Sequence, residues 1–128
     1  MQNFILTLTT AIVLIGTHAQ AITQCPNGAI GKDLKQELEK EGFKLYNTDG
    51  FKPKSEYSFA RVAIATSKDN HSRLSCDYHA DSWFYGHELE VGNCQPKDKS
   101  KWDTYTDGTI YCEADEATSC EFSCANQQ

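Results

Sequence analysis

Basic residues are scarce in this chain. Twelve Lys and Arg stand against 18 Asp and Glu, a formal net charge of −6 over 128 residues. Neutralising phosphates requires a basic surface, so nucleic acid is not expected as a partner. No apolar run reaches the ~20 residues that a helix needs to cross a bilayer. A G-x-S-x-G elbow is missing, which removes the usual setting of a serine nucleophile in an α/β-hydrolase. There is also no C-x-x-C. That argues against a thioredoxin-type redox centre and against paired zinc knuckles, leaving Cys120-x3-Cys124 as the tightest cysteine spacing. Metal ligands and cofactors are therefore not expected.

What is present begins with an export pattern. An apolar run from Phe4 to Gly16, about 13 residues, is followed by Ala19-Gln20-Ala21. Such a run is too short to span ~30 Å of hydrocarbon, and the small-x-small ending suits signal peptidase. Residues 1–21 are read as a signal peptide and 22–128 as one small disulfide-rich domain starting at Ile22. The product is expected to be secreted or periplasmic, with no membrane attachment after cleavage. The n-region carries no Lys or Arg.

The six cysteines, Cys25, Cys76, Cys94, Cys112, Cys120 and Cys124, all follow that segment. An even count in an exported domain reads as three disulfides, leaving no thiol for nucleophilic catalysis.

Along the chain, Gly31–Gly42 is the clearest helix. Ile30, Leu34 and Leu38 make a narrow apolar stripe, charges fill the remaining positions, and Gly42 is placed to stop it. Strands are expected at Phe43–Tyr46, Tyr57–Thr66, Arg73–His79, Trp83–Val91 and Trp102–Tyr105. Tyr57–Thr66 is the most apolar and is read as covered on both faces. Thr109–Ala114 and Cys120–Cys124 are read as a closing hairpin around Asp115-Glu116-Ala117. The fold class is α+β: one N-terminal helix packed on an antiparallel sheet of about five strands, stapled by disulfides. A turn centred on Glu116 puts Cys112 opposite Cys120 and Ile110 opposite Phe122, which favours a Cys112–Cys120 bridge. Cys25–Cys124 would then tie the termini together, and Cys76–Cys94 would brace the Trp83–Val91 strand.

Candidate chemistry is sparse. His71, His79 and His87 recur every eight residues, and His79 and His87 would face each other only if the intervening hairpin had the right register. Asp103, Asp107 and Gly108 match three positions of a calcium loop, but Tyr105 and Ala114 fail the others, so a turn is expected there. No carboxylate pair is singled out by an apolar setting. Asn70-His71-Ser72 is an N-glycosylation sequon. Aromatics are the better handle. Trp83, Phe84 and Tyr85 are consecutive, so they must point to both faces of a strand. With Tyr78, Trp102 and Tyr105 they could form a platform for a sugar or a protein.

Cys25-Pro26 after the leader, Ser58-Phe59-Ala60, Leu74-Ser75-Cys76-Asp77-Tyr78, and Tyr111-Cys112 with Cys120-Glu121-Phe122 together resemble an uncharacterised family of small exported bacterial proteins. The chain departs from that pattern at Glu121, where the family would have proline, and Cys94 and Cys124 look like additions. The resemblance implies export and a β-rich fold. It brings no activity. The expectation is a non-catalytic binding or interaction protein with a protein or glycan partner. A small extracellular hydrolase or a carbohydrate-binding accessory protein is the alternative.

Overall fold

The computed structural model describes residues 22–45, 50–66, 69, 71–80 and 83–125, except the side chains of Trp83, Phe84, Tyr85 and His87. The expected signal peptide lies outside the described residues.

The elements run β1 (Ala29–Ile30), α1 (Gly31–Lys40), β2 (Lys44–Leu45), β3 (Glu56–Thr66), β4 (Ser72–Ala80), β5 (Trp83–Val91), β6 (Cys94–Pro96), β7 (Asp103–Thr104), β8 (Ile110–Glu113) and β9 (Phe122–Cys124). Short 3-10 turns occupy Lys99–Lys101 and Ala117–Cys120.

Helix α1 forms where its stripe requires. Leu34 and Leu38 are fully buried, while Ile30 is 44% exposed at the N-cap instead of joining the stripe. Ile30 has no capping side chain. The Gly31 and Lys32 amides donate instead to the carbonyls of Ser55 (2.8 Å) and Pro53 (2.9 Å). That loop passes so close that a Cβ on Gly31 would lie 2.5 Å from the Lys52 carbonyl oxygen. At the other end Gly42 takes φ +98°. Its amide donates to Glu39 and that of Phe43 to Leu38, each at 3.0 Å, a Schellman ending.

The main sheet has seven strands, ordered β2-β5-β4-β3-β8-β7, with β1 also pairing β3; β6 and β9 form a separate two-stranded sheet. Every recorded pairing is antiparallel. The class is as expected, but among the described residues there are nine strands instead of about five. Several of the additional ones are two-residue pieces that continue the sheet beyond its long strands.

The apolar β3 strand is not covered on both faces as its composition suggested. A register shift between Phe59 and Arg61 switches the parity of its inward residues. Tyr57 and Phe59 point inward before the shift and Val62 and Ile64 after it, all at 2% exposure or less. Arg61, Ala63 and Ala65 are left on the outer face. The inner face meets Leu74, Cys76 and Tyr78 of β4 together with Leu34, Leu38, Phe43 and Phe122. Tyr78 stands edge-on to Phe59 at 6.0 Å and donates its hydroxyl to the Pro26 carbonyl at 2.6 Å. This lets a buried phenol fix the N-terminal lead-in at no cost in unsatisfied polar groups.

The bridges are Cys25–Cys76, Cys94–Cys124 and Cys112–Cys120. The expected Cys25–Cys124 and Cys76–Cys94 pairs are thus corrected. Strand β9 pairs with β6, not with β8, which places Cys124 opposite Cys94. Cys76 faces the core beneath the lead-in that β1 holds on β3, where Cys25 meets it. Cys112–Cys120 does form, though not across a hairpin. Ile110 pairs with Ile64 and Thr104, Phe122 pairs with Pro96, and a 3-10 turn fills the place of the expected bend.

Candidate functional site

The outer face of the sheet, opposite α1, is assembled by register. On it Arg61 lies between Asp77 of β4 and Glu113 of β8, and Ala63 lies between Ser75 and Tyr111. Asp103 follows Tyr111 at the β7 edge, and Gly86 follows Asp77 on β5. This face carries two charged pairs, the exposed Arg73–Glu88 (3.3 Å) and, toward β8, one that is largely withdrawn from water.

That pair is Arg61 and Asp77. The Arg61 Nε and Nη2 donate to Asp77 Oδ2 at 3.0 and 2.7 Å. The carboxylate side chain is only 4% exposed, against 31% for the arginine. The third guanidinium nitrogen, Nη1, donates to the Tyr105 hydroxyl at 2.8 Å. Burial alone lowers the pKa of Arg61. The hydrogen bonds and charge of Asp77, followed by those of Tyr105, outweigh that effect and hold it above its ordinary value.

Tyr105 sits on the β7–β8 connection. Its amide donates to Thr109 (2.8 Å), and the Gly108 amide donates back to Tyr105 (3.0 Å). Asp107 Oδ1 accepts from the Thr109 amide at 2.9 Å, and Gly108 has φ +92°. Asp103 belongs to β7 and Tyr105–Thr109 is accordingly a closed turn, as the Asp-Gly pair indicated. The turn lays the Tyr105 ring on Tyr111, centroids 4.1 Å apart and planes within 16°. Tyr105 remains 39% exposed. Tyr111 has a raised phenol pKa, through desolvation first and then the charges of Asp103, Tyr105 and Glu113.

The residues of the expected aromatic platform that are described fall in different places. Tyr105 lies on the outer face. Tyr78 is buried in the core, and Trp102 is half-buried against the core beside a different groove. The backbone of Trp83, Phe84 and Tyr85 pairs with Ala80, His79 and Tyr78, but their side chains lie outside the described residues. Arg61, Asp77 and Tyr111 were missed. The signal for them was a lone cation in the most apolar strand, which calls for a carboxylate on a neighbouring strand.

The histidine alignment does not occur. His79 pairs with Phe84 and His87 with Cys76, and among the described residues no group of three or more His, Cys, Asp or Glu is placed to hold a metal. In the sequon, Asn70 lies outside the described residues, and Ser72 is buried, its hydroxyl accepting from the Cys94 amide at 3.0 Å.

No family model, curated protein or solved structure matches the chain.

Proposed function

We propose that this is an exported, disulfide-stapled protein that works by binding, without catalysis, and that the outer sheet face around Tyr105, Tyr111 and Arg61 receives a protein partner. The observation that carries this reading is the stacked Tyr105–Tyr111 pair, in which Tyr111 is half-buried and the exposed Tyr105 is held by Arg61 and through it by Asp77. Tyrosine and arginine dominate the energetic centres of protein interfaces. A tyrosine that is already ordered loses little freedom on docking, so more of its contact energy appears as affinity. Asp103 and Glu113 lie close enough to Tyr111 to act on its phenol, giving the patch an acidic rim. The partner it suits carries apolar surface with basic residues around it. Three disulfides suit an oxidising compartment, and no helix among the described residues is long and apolar enough to cross a membrane.

The test uses the oxidised protein as bait in the compartment it reaches, with Tyr105→Ala, Tyr111→Ala and, as a control on α1, Lys35→Ala. The expected result is a partner retained by wild type and Lys35→Ala. Each tyrosine variant should bind it about 30-fold more weakly, the effect of losing ~2 kcal/mol at a hot spot. Binding that is unaffected by both tyrosine substitutions, with all variants folded by circular dichroism, would overturn the assignment of this face.

A further inference from the structure

A second surface carries a different chemistry. A groove of about 310 Å³ lies between the two 3-10 turns, lined by Lys97, Asp98, Lys101 and Trp102 on one wall and Thr118, Ser119 and Glu121 on the other. That volume is at the small end of the range for ligand sites. Both walls are fixed. The Lys97 amide donates to the Glu121 carbonyl at 3.0 Å, and Pro96 pairs with Phe122. Cys94–Cys124 closes the far end of that two-stranded sheet, and Cys112–Cys120 anchors the Thr118–Glu121 wall to β8. On the first wall, Asp98 Oδ1 accepts from the Ser100 amide (3.1 Å) and hydroxyl (2.7 Å). Those bonds, the side-chain one foremost, hold its carboxyl below the usual range.

Charge decides the ligand class. Lys97 Nζ is matched by Glu121 Oε1 at 3.3 Å, and the charge of Lys101 acts on Asp98. The lining thus carries two ammonium groups and two carboxylates, one pair of them in contact, and as a lining it favours neither a phosphate nor a polyamine. What remains is a compact mixture of donors (Lys97, Lys101), acceptors (Asp98, Glu121) and hydroxyls that can be either (Thr118, Ser119). Beside it stands one indole, packed against the core on one side and lining the groove on another. Neutral sugars need that combination. Their C–H faces carry the partial positive charge that an aromatic face attracts, and their hydroxyls each want a donor and an acceptor close by. We infer that this groove is a binding site for a neutral glycan, taking one or two hexose-type rings with Trp102 as the stacking surface. Its residues are separate from those of the sheet face, so the two assignments stand or fall separately.

The experiment is an NMR titration of the oxidised protein, following the Trp102 indole N–H and the Thr118 and Ser119 amides. The probes are glucose, galactose, N-acetylglucosamine, cellobiose, lactose and N,N′-diacetylchitobiose, with glucuronic acid and inorganic phosphate as charged comparators. The expected result is that at least one neutral sugar shifts all three signals saturably, and more strongly than either comparator. Trp102→Ala should weaken that binding about tenfold or more, and Trp102→Phe less. Because Trp102 also packs on the core, Ser119→Ala serves as a second variant that leaves the packing intact and should weaken binding too. Tyr105→Ala should leave it unchanged. The inference is overturned if no neutral sugar shifts the groove signals, if a charged comparator binds more tightly than every neutral sugar, or if binding survives both Trp102→Phe and Ser119→Ala undiminished.

Discussion

Removing Cys25–Cys76 should cost the protein more than removing Cys112–Cys120, and the difference can be worked from chain topology. The first bridge closes a sequence separation of 51 residues and the second one of 8. Loop-closure entropy then gives about 4 kcal/mol for the long bridge and about 2.5 kcal/mol for the short one at 25 °C, with ~1.6 kcal/mol between them. The comparison is a fair one because all four sulfurs are buried, at 0–2% exposure, so the packing lost on replacing each pair by alanine is similar and largely cancels. The long bridge has a further consequence. It holds the lead-in whose Pro26 carbonyl accepts the hydroxyl of buried Tyr78, so loosening that segment exposes a polar group in the core. Urea unfolding of the two double-alanine variants at a fixed protein concentration reads the difference directly. At ~4–8 °C per kcal/mol for a domain of this size, thermal melts should separate by about 6–13 °C. Equal losses, or a larger loss for Cys112–Cys120, would refute the argument, because loop length and the Tyr78–Pro26 hydrogen bond both act against the Cys25–Cys76 variant.

Three further outcomes are expected. Arg61→Ala should destabilise by about 2–4 kcal/mol because it takes the guanidinium from a buried carboxylate, whereas Asp77→Asn should cost only about 1–2 kcal/mol since the half-exposed arginine can hydrate; denaturant midpoints compare them. Tyr111 should ionise above the ordinary tyrosine value of ~10. A raised phenol means that the folded state holds the proton more tightly, so its contribution is complete below that value and is lost as pH rises through the folded pKa, which phenolate absorbance of wild type against Tyr111→Phe would follow. Gly28→Ala should cost about 3 kcal/mol or prevent folding, since its Cβ would lie 2.1 Å from the Tyr57 carbonyl oxygen; Gly108→Ala, with open space and only φ +92° to resist it, should cost about 1 kcal/mol by the same unfolding measurement.

Local signals in the sequence carried far into the fold, and pairing signals did not. The α1 stripe and Gly42 marked a helix and its end because caps and periodicity act within a few residues. Strand β5 has the bounds that its alternation suggested, Trp83–Val91. The partner of Cys120–Cys124 was another matter. Nothing within that segment distinguishes a return to β8 from a pairing with β6, and the choice decides two of the three bridges. The β3 shift is similar. An apolar strand covered on both faces and one whose parity switches halfway have the same composition, and only the isolated Arg61 separates them. Its partner Asp77 is 16 residues away, between the inward Cys76 and Tyr78, where alternation puts it on the outer face without saying that it would be buried there.

Arg61 and the disulfides also explain how a small domain can offer two firm surfaces. The outer face has no cross-link of its own, since the inward cysteines sit on the core side of the sheet. There the holding is done by Arg61, which ties Tyr105 to a carboxylate it shields from water, and by a turn that fixes the ring against Tyr111. The groove beside Trp102 lies where secondary structure is thinnest, between two 3-10 turns and a two-stranded sheet that would be marginal alone. Two of the three bridges lie at that point. Cross-linking is therefore concentrated where hydrogen-bonded sheet is least able to hold a shape, and charge pairing serves where the sheet is already continuous. A loss of order after reduction, followed by amide hydrogen exchange, should accordingly begin at the groove walls, while the Tyr105–Tyr111 stack persists until β8 separates from β3.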